Sequence, residues 1–247
     1  MSPLSSWAWM VSSAGALVLA VALSACGGGG EQADLTERPI SDSELAIMGV
    51  YEPDLPQGFA GFVRTADSGL KTNEQAAEMH PDPEEEAQDQ EQFGQLSEYV
   101  RAYQPPGAAT SAADGAAISL VSTVQLFQDA AGASGYMADD VADLEASIGK
   151  ASNGSTLQQV ERFKTASIGD ESVGRRMSET IDEGGQQRSA YGTRISFRYG
   201  RLLLSVTVLR ADDQDVSKEI EALTRGLEER IKVILSAEPV TSPTPSG

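Results

Sequence analysis

The chain has 247 residues, 37 of them acidic and 18 basic, for a formal net charge of -19. So acidic a surface repels phosphate backbones, which argues against nucleic acid as a partner. One cysteine and one histidine exclude an intrachain disulfide, a Cys-based zinc cage and a His-rich metal centre.

The amino-terminal segment carries the strongest local signal. Ala14 to Ala25 is a nearly unbroken run of small and apolar residues, closing on Leu23-Ser24-Ala25-Cys26 and four glycines. An apolar core followed by small residues at a cut site is the layout of a secretory signal. Leu-Ser-Ala-Cys resembles the lipobox of bacterial lipoproteins. That resemblance implies a diacylglycerol on the Cys26 thiol and cleavage between Ala25 and Cys26. It also implies a mature domain held on the extracytoplasmic face of the cell membrane by that lipid. The chain departs from the family pattern in having no Lys or Arg before the apolar run. An uncleaved membrane anchor is the alternative, because Trp7 to Ala25 spans 19 residues.

Beyond Cys26 the charge is uneven, with 17 acidic and 3 basic residues between 26 and 100. Residues 26–40 read as a flexible Gly- and acid-rich tether. Ser41 followed three places on by Glu44 is a capping box, so a short helix is expected to Met48. Turn chemistry at Pro53 to Phe59 ends it, and Thr72 to Met79 reads as a second short helix. The densest acidic run, His80-Pro81-Asp82-Pro83-Glu84-Glu85-Glu86, reads as a solvated, mobile loop, since like charges repel and proline lacks an N–H. Gly94 to Tyr103 and Ala117 to Phe127 read as strands on either side of a Pro/Gly/Ala-rich loop. Asp129 to Ile148 follows as a helix with Tyr136, Val141, Leu144 and Ile148 as its apolar stripe. Strands are expected at Leu157–Phe163, Val173–Ile181, Tyr191–Tyr199 and Leu202–Arg210. The last two form a tight hairpin around Gly200-Arg201. Asp212 to Asp215 precedes a clear amphipathic helix, with Val216, Ile220, Leu223, Leu227, Ile231 and Ile234 recurring at threes and fours. A Pro/Ser/Thr-rich end, 237–247, is expected to be disordered.

These elements predict an α+β fold, an antiparallel sheet with helices packed on one face. The expected organisation is a signal peptide at 1–25, a tether at 26–40, one domain at 41–236 and the tail. Asp54-Leu55-Pro56-Gln57-Gly58-Phe59, the passage Val124 to Ala130, Ile168 to Ser172 and Ile195 to Leu202 resemble segments of bacterial lipoproteins with a Mog1/PsbP-like sandwich. The resemblance implies that fold and an extracytoplasmic location. It transfers no catalytic residue.

Catalytic sets are missing from the sequence. A Ser-His-Asp relay has only His80 to use, beside Pro81 in the acidic run, where a solvated loop histidine is expected. No Gly-x-Ser-x-Gly elbow and no phosphate-binding glycine loop is present. The chain after Cys26 has no tryptophan to stack a sugar ring. An EF-hand beginning at Asp213 fails, with Lys218 at the sixth place and Thr224 at the twelfth. Glu84 to Glu86 could at most hold a loose divalent ion, so no metal and no cofactor is expected. Arg194 and Arg198, on one strand face with Ser196 between, and nearby Arg201 are a candidate anion or partner patch.

The sequence therefore points to a non-enzymatic, membrane-anchored module that binds an unidentified protein or small ligand. One alternative is an accessory or sensor subunit of an envelope complex, its acidic run at 80–91 meeting the partner. The other is an unrecognised hydrolase, which would need a pocket lined by two or more buried carboxylates.

Overall fold

The computed structural model describes residues 37–80, 82–106, 117–152, 154–183 and 186–237. Cys26, the tether up to residue 36 and the tail from 238 lie outside the described residues. Nine strands form one sheet, antiparallel throughout. They are β1 (Val63–Arg64), β2 (Gly69–Lys71), β3 (Gln95–Gln104), β4 (Ala117–Phe127), β5 (Ala151–Ser152), β6 (Ser155–Phe163), β7 (Glu171–Glu183), β8 (Gln186–Tyr199) and β9 (Leu202–Arg210). The order across the sheet is β1-β3-β4-β9-β8-β7-β6-β5, with β2 also paired to β3. The helices are α1 (Asp42–Met48), α2 (Asn73–Ala77), α3 (Pro83–Phe93), α4 (Ala130–Ala146) and α5 (Ser217–Ser236). No described helix is long and apolar enough to cross a membrane.

Side chains of a strand alternate between faces, and the two faces here differ. Leu202, Leu204, Val206 and Val208 of β9 point to the same side as Ile195 and Phe197 of β8 and Leu120 and Val124 of β4. Against them pack Leu45 and Met48 of α1 and Ile220, Leu227 and Ile231 of α5. Each such side chain taken from water contributes about 1.5–3 kcal/mol. Leu203 and Phe127 point the other way, into a smaller cluster with Ala133 and Met137 of α4. The α+β class and antiparallel sheet match expectation. The placement of all helices on one face does not, because α3 and α4 cover the second face. The tight hairpin is present, with Tyr199 paired to Leu202 and Gly200 at φ 56° in the turn.

The largest difference is α3, where a mobile loop was expected. Asp82 caps it, its carboxylate accepting the Glu85 N–H at 3.2 Å, and Pro83 stands at the first turn. Proline suits that position because the missing N–H has no helical partner there. Glu84, Glu85 and Glu86 then oppose the positive end of the helix dipole. The helix ends at Gly94, in the left-handed conformation at φ 69°.

Candidate functional site: an acidic cleft on the second face

Between α3, α4 and the sheet lies a cleft with about 30 Å³ of free space, enough for an ion and a water or two. Six carboxylates line it: Glu86, Asp89, Glu98, Asp139, Asp140 and Asp143. The local folding explains why they converge. On α4, capped by the Asp129 carboxylate on the Gly132 N–H at 2.7 Å, Tyr136, Asp139, Asp140 and Asp143 recur at helical spacing and share a face. On α3, Glu86 and Gln90 are one turn apart and turn inward, the Gln90 amide donating to Glu86 at 2.8 Å. Gly132 lets the helices close up. A Cβ there would lie 2.1 Å from the Phe93 carbonyl oxygen. The floor is polar, with Glu98 of β3 registered opposite Gln125 of β4, and Arg194 of β8 beyond.

Each acid has its own electrostatic circumstance. Asp140 sits between two guanidiniums, 2.6 Å from Arg175 and 3.1 Å from Arg194. Those arginines face each other in register on β7 and β8, so the carboxylate screens two like charges. Burial pushes Asp140 up, but the two positive charges outweigh it and hold the group below its usual range. Glu86 accepts the Tyr136 hydroxyl at 2.8 Å. Burial raises it to about 7, against the pull of the Tyr136 and Gln90 hydrogen bonds. His80 Nε2 lies 3.5 Å from Glu86. Burial lowers the imidazole and raises Glu86, so it works against the charged form of both partners in this contact.

Glu98 is only 5% exposed, opens onto the cleft, and has no hydrogen-bond or ion-pair partner among the described residues. Burial and the nearby Glu86 raise it to about 8. Asp89, Asp139 and Asp143 bring ligand oxygens within 4.8 Å of one another. Burial and mutual repulsion raise Asp89 to about 6 and Asp143 to about 7. Burial, with the charges of Asp140 and Glu85, raises Asp139 against the lowering effect of Asp143.

The arginines expected to form a patch are placed differently from one another. Arg194 turns inward to Asp140. Arg198 lies between Asp170 at 3.0 Å and Glu171 at 3.1 Å. Arg201 donates to the backbone carbonyls of Phe127 and Arg38. The cleft itself was missed. Its sequence signal was weak: Asp139, Asp140 and Asp143 at helical spacing on α4, a pattern that exposed helix faces also show. His80, expected in solvent, is instead largely buried against Glu86. The pocket with buried carboxylates that a hydrolase would need is present.

No family model matches the chain, and no curated protein matches it. The Mog1/PsbP-like resemblance rests on its short motifs alone. Among solved structures, the fold is similar to the extracellular domain of PknH from Mycobacterium tuberculosis. The TM-score is 0.51 at 10% identity, covering 80% of this chain and 99% of that one. A protein of unknown function, PA94 from Pseudomonas aeruginosa, aligns at a TM-score of 0.26 and 10% identity, over 59% of this chain and 85% of that one.

Proposed function

We propose that the chain is a lipid-anchored, non-enzymatic binding module on the extracytoplasmic face of the cell membrane, and that it takes a small positively charged ligand in the acidic cleft. The observation that carries this is the make-up of the lining: six carboxyl groups against Arg194 and His80, with Glu98 lacking a partner among the described residues. The Cys26 lipobox supports the anchor, and the fold shared with an extracellular domain supports the location. The size of the cleft favours binding over hydrolysis. The cleft has about 30 Å³ of free space, whereas sites that enclose a drug-sized molecule run to hundreds of Å³. Asp140, held below its usual range, is taken up by two guanidiniums.

Two measurements test the reading separately. Growth with a fatty-acid analogue should label the wild-type chain and not Cys26→Ala; an unlabelled wild type removes the anchor. Purified mature chain titrated with small cations, organic amines included, should show saturable binding that Glu98→Gln weakens. Indifference to every cation removes the cleft as a ligand site.

A further inference from the structure

Asp89 from α3 and Asp139 and Asp143 from α4 meet at the mouth of the cleft. Resting on the reading of the cleft as the ligand site, we infer that these three carboxylates are a binding site for a hard divalent cation of the calcium or magnesium class. Two independent observations lead there. First, the three ligand oxygens lie within 4.8 Å of one another, the span over which one ion can be shared. Asp139 and Asp143 stand one helical turn apart on α4, which brings their carboxylates together. Carboxylates held that close repel one another, and a cation between them relieves the repulsion. The charges acting on Asp143 come from Asp139, Asp89 and Glu85, all of them acids. Arg175 and Arg194, the cations nearby, are committed to Asp140.

Second, Glu98 is buried, unpartnered and opens onto the same cleft. A buried carboxyl with no donor is costly unless a ligand completes it. Glu98 stands outside the ligand triangle and lines the same cleft. The donor set selects the ion. All the ligands are carboxylate oxygens, with no sulfur and no imidazole in the triangle, which suits calcium, magnesium or manganese over zinc or copper. The triangle is assembled by the close approach of α3 and α4 at Gly132, so the ion ties the two helices together across the cleft mouth.

The experiment uses the full mature chain, stripped of metal by chelator and then titrated with calcium, magnesium or manganese at constant ionic strength. Binding is followed by calorimetry and by thermal unfolding. The expected result is one saturable site per chain, with a dissociation constant of ~10⁻⁵–10⁻³ M and a rise in melting temperature on loading. Asp139→Asn with Asp143→Asn should weaken binding by ~10-fold or more and leave the metal-free chain at least as stable, since repulsion is relieved. That combination separates lost ligands from a lost fold. Asp213→Asn, an exposed acid remote from the cleft, should bind as wild type does. Absence of saturable binding of all three metals up to ~10 mM overturns the inference, as does equal binding by the double variant. If an organic amine such as spermidine binds in a Glu98-dependent way while no metal does, the metal site falls and the cleft stands. If neither binds, both fall.

Discussion

The two faces of the sheet are built from the same strands and do opposite things. Beneath α1 and α5 the strands present Leu202, Leu204, Val206, Ile195 and Phe197, and the layer is mostly apolar, with buried Arg101 of β3 donating to the Ala46 and Val50 carbonyls. Beneath α3 and α4 the alternate residues of those same strands include Ser196, Arg194, Ser205 and Thr123, the last two joined by a hydrogen bond of 2.7 Å. The apolar face is held mainly by burial, which is non-directional. The polar face needs every charge answered, because an unpaired buried charge costs several kcal/mol. Stability is therefore concentrated on the first face. The second is held by a few specific pairs around a place where carboxylates remain unanswered, and a ligand is read there.

The largest expected effect breaks the polar face at its one strong pair. Asp140→Ala leaves Arg175, wholly buried, and Arg194 facing each other with no carboxylate between them. Removing one partner of a buried ion pair costs about 3–5 kcal/mol, and here two cations lose theirs. Chemical denaturation should show a loss in that range, and α4 amides should lose hydrogen-exchange protection before those of α5. A loss under about 1 kcal/mol would put the pair in the class of solvent-screened surface bridges and would erase the distinction drawn between the faces.

The same comparison is sharpened on the apolar side by Leu204→Ala. Leu204 is fully buried among β4, β8 and α5 residues. Truncation should cost about 2–5 kcal/mol through lost burial and the cavity left behind. Unlike Asp140→Ala, the cost should be nearly independent of pH and salt, and cation binding to the folded protein should be unchanged. Parallel urea titrations at two pH values measure this.

What the sequence made legible follows the same division. The capping box at Ser41 and Glu44 formed as expected, with both hydrogen bonds present. The strand at Ala117–Phe127 has its expected bounds. On α5 the expected Ile220, Leu223, Leu227 and Ile231 are buried, and at its end Leu235 is buried with Ile234 only partly so. α1, α5 and half of β4 build the apolar face, where hydrophobic periodicity is the signal. α3 had no such signal to give, since its inward residues are Glu86 and Gln90. Its prolines and acids read as loop chemistry because helix starts use the same residues: Asp82 to cap, Pro83 at the first turn, glutamates against the dipole. On α4 the buried positions include Asp140 and Asp143 beside Ala133 and Met137, and so Ile148, the expected end of the stripe, is instead 44% exposed. The convergence of Asp89 with Asp139 and Asp143 is a tertiary fact, set by a glycine contact that no local pattern announces.

The smallest expected effect is also the one whose sign best separates the faces. Glu98 faces Glu86 of α3, with Arg194 of β8 and Lys71 of β2 as its cationic neighbours. Its folded pKa of about 8 and that of Glu86, about 7, both lie above the ordinary 4.5. A carboxyl raised on folding holds its proton more tightly in the native state than in the unfolded one. Stability tied to it is fully present below about pH 4.5 and declines as pH climbs toward the folded values. In chelator, the wild-type chain should therefore lose stability between about pH 5 and 8, opposite to the usual gain from paired carboxylates such as Asp140, which is lost only as pH falls. Glu98→Gln removes the ionisation while keeping size, so it should stabilise the metal-free protein by about 1–2 kcal/mol at pH 8 and by nearly nothing at pH 5. Melting curves of the two proteins across that range decide it. A variant equally destabilised at both pH values would mean that Glu98 makes a specific hydrogen bond in the native state, and the second face would then be as well satisfied internally as the first.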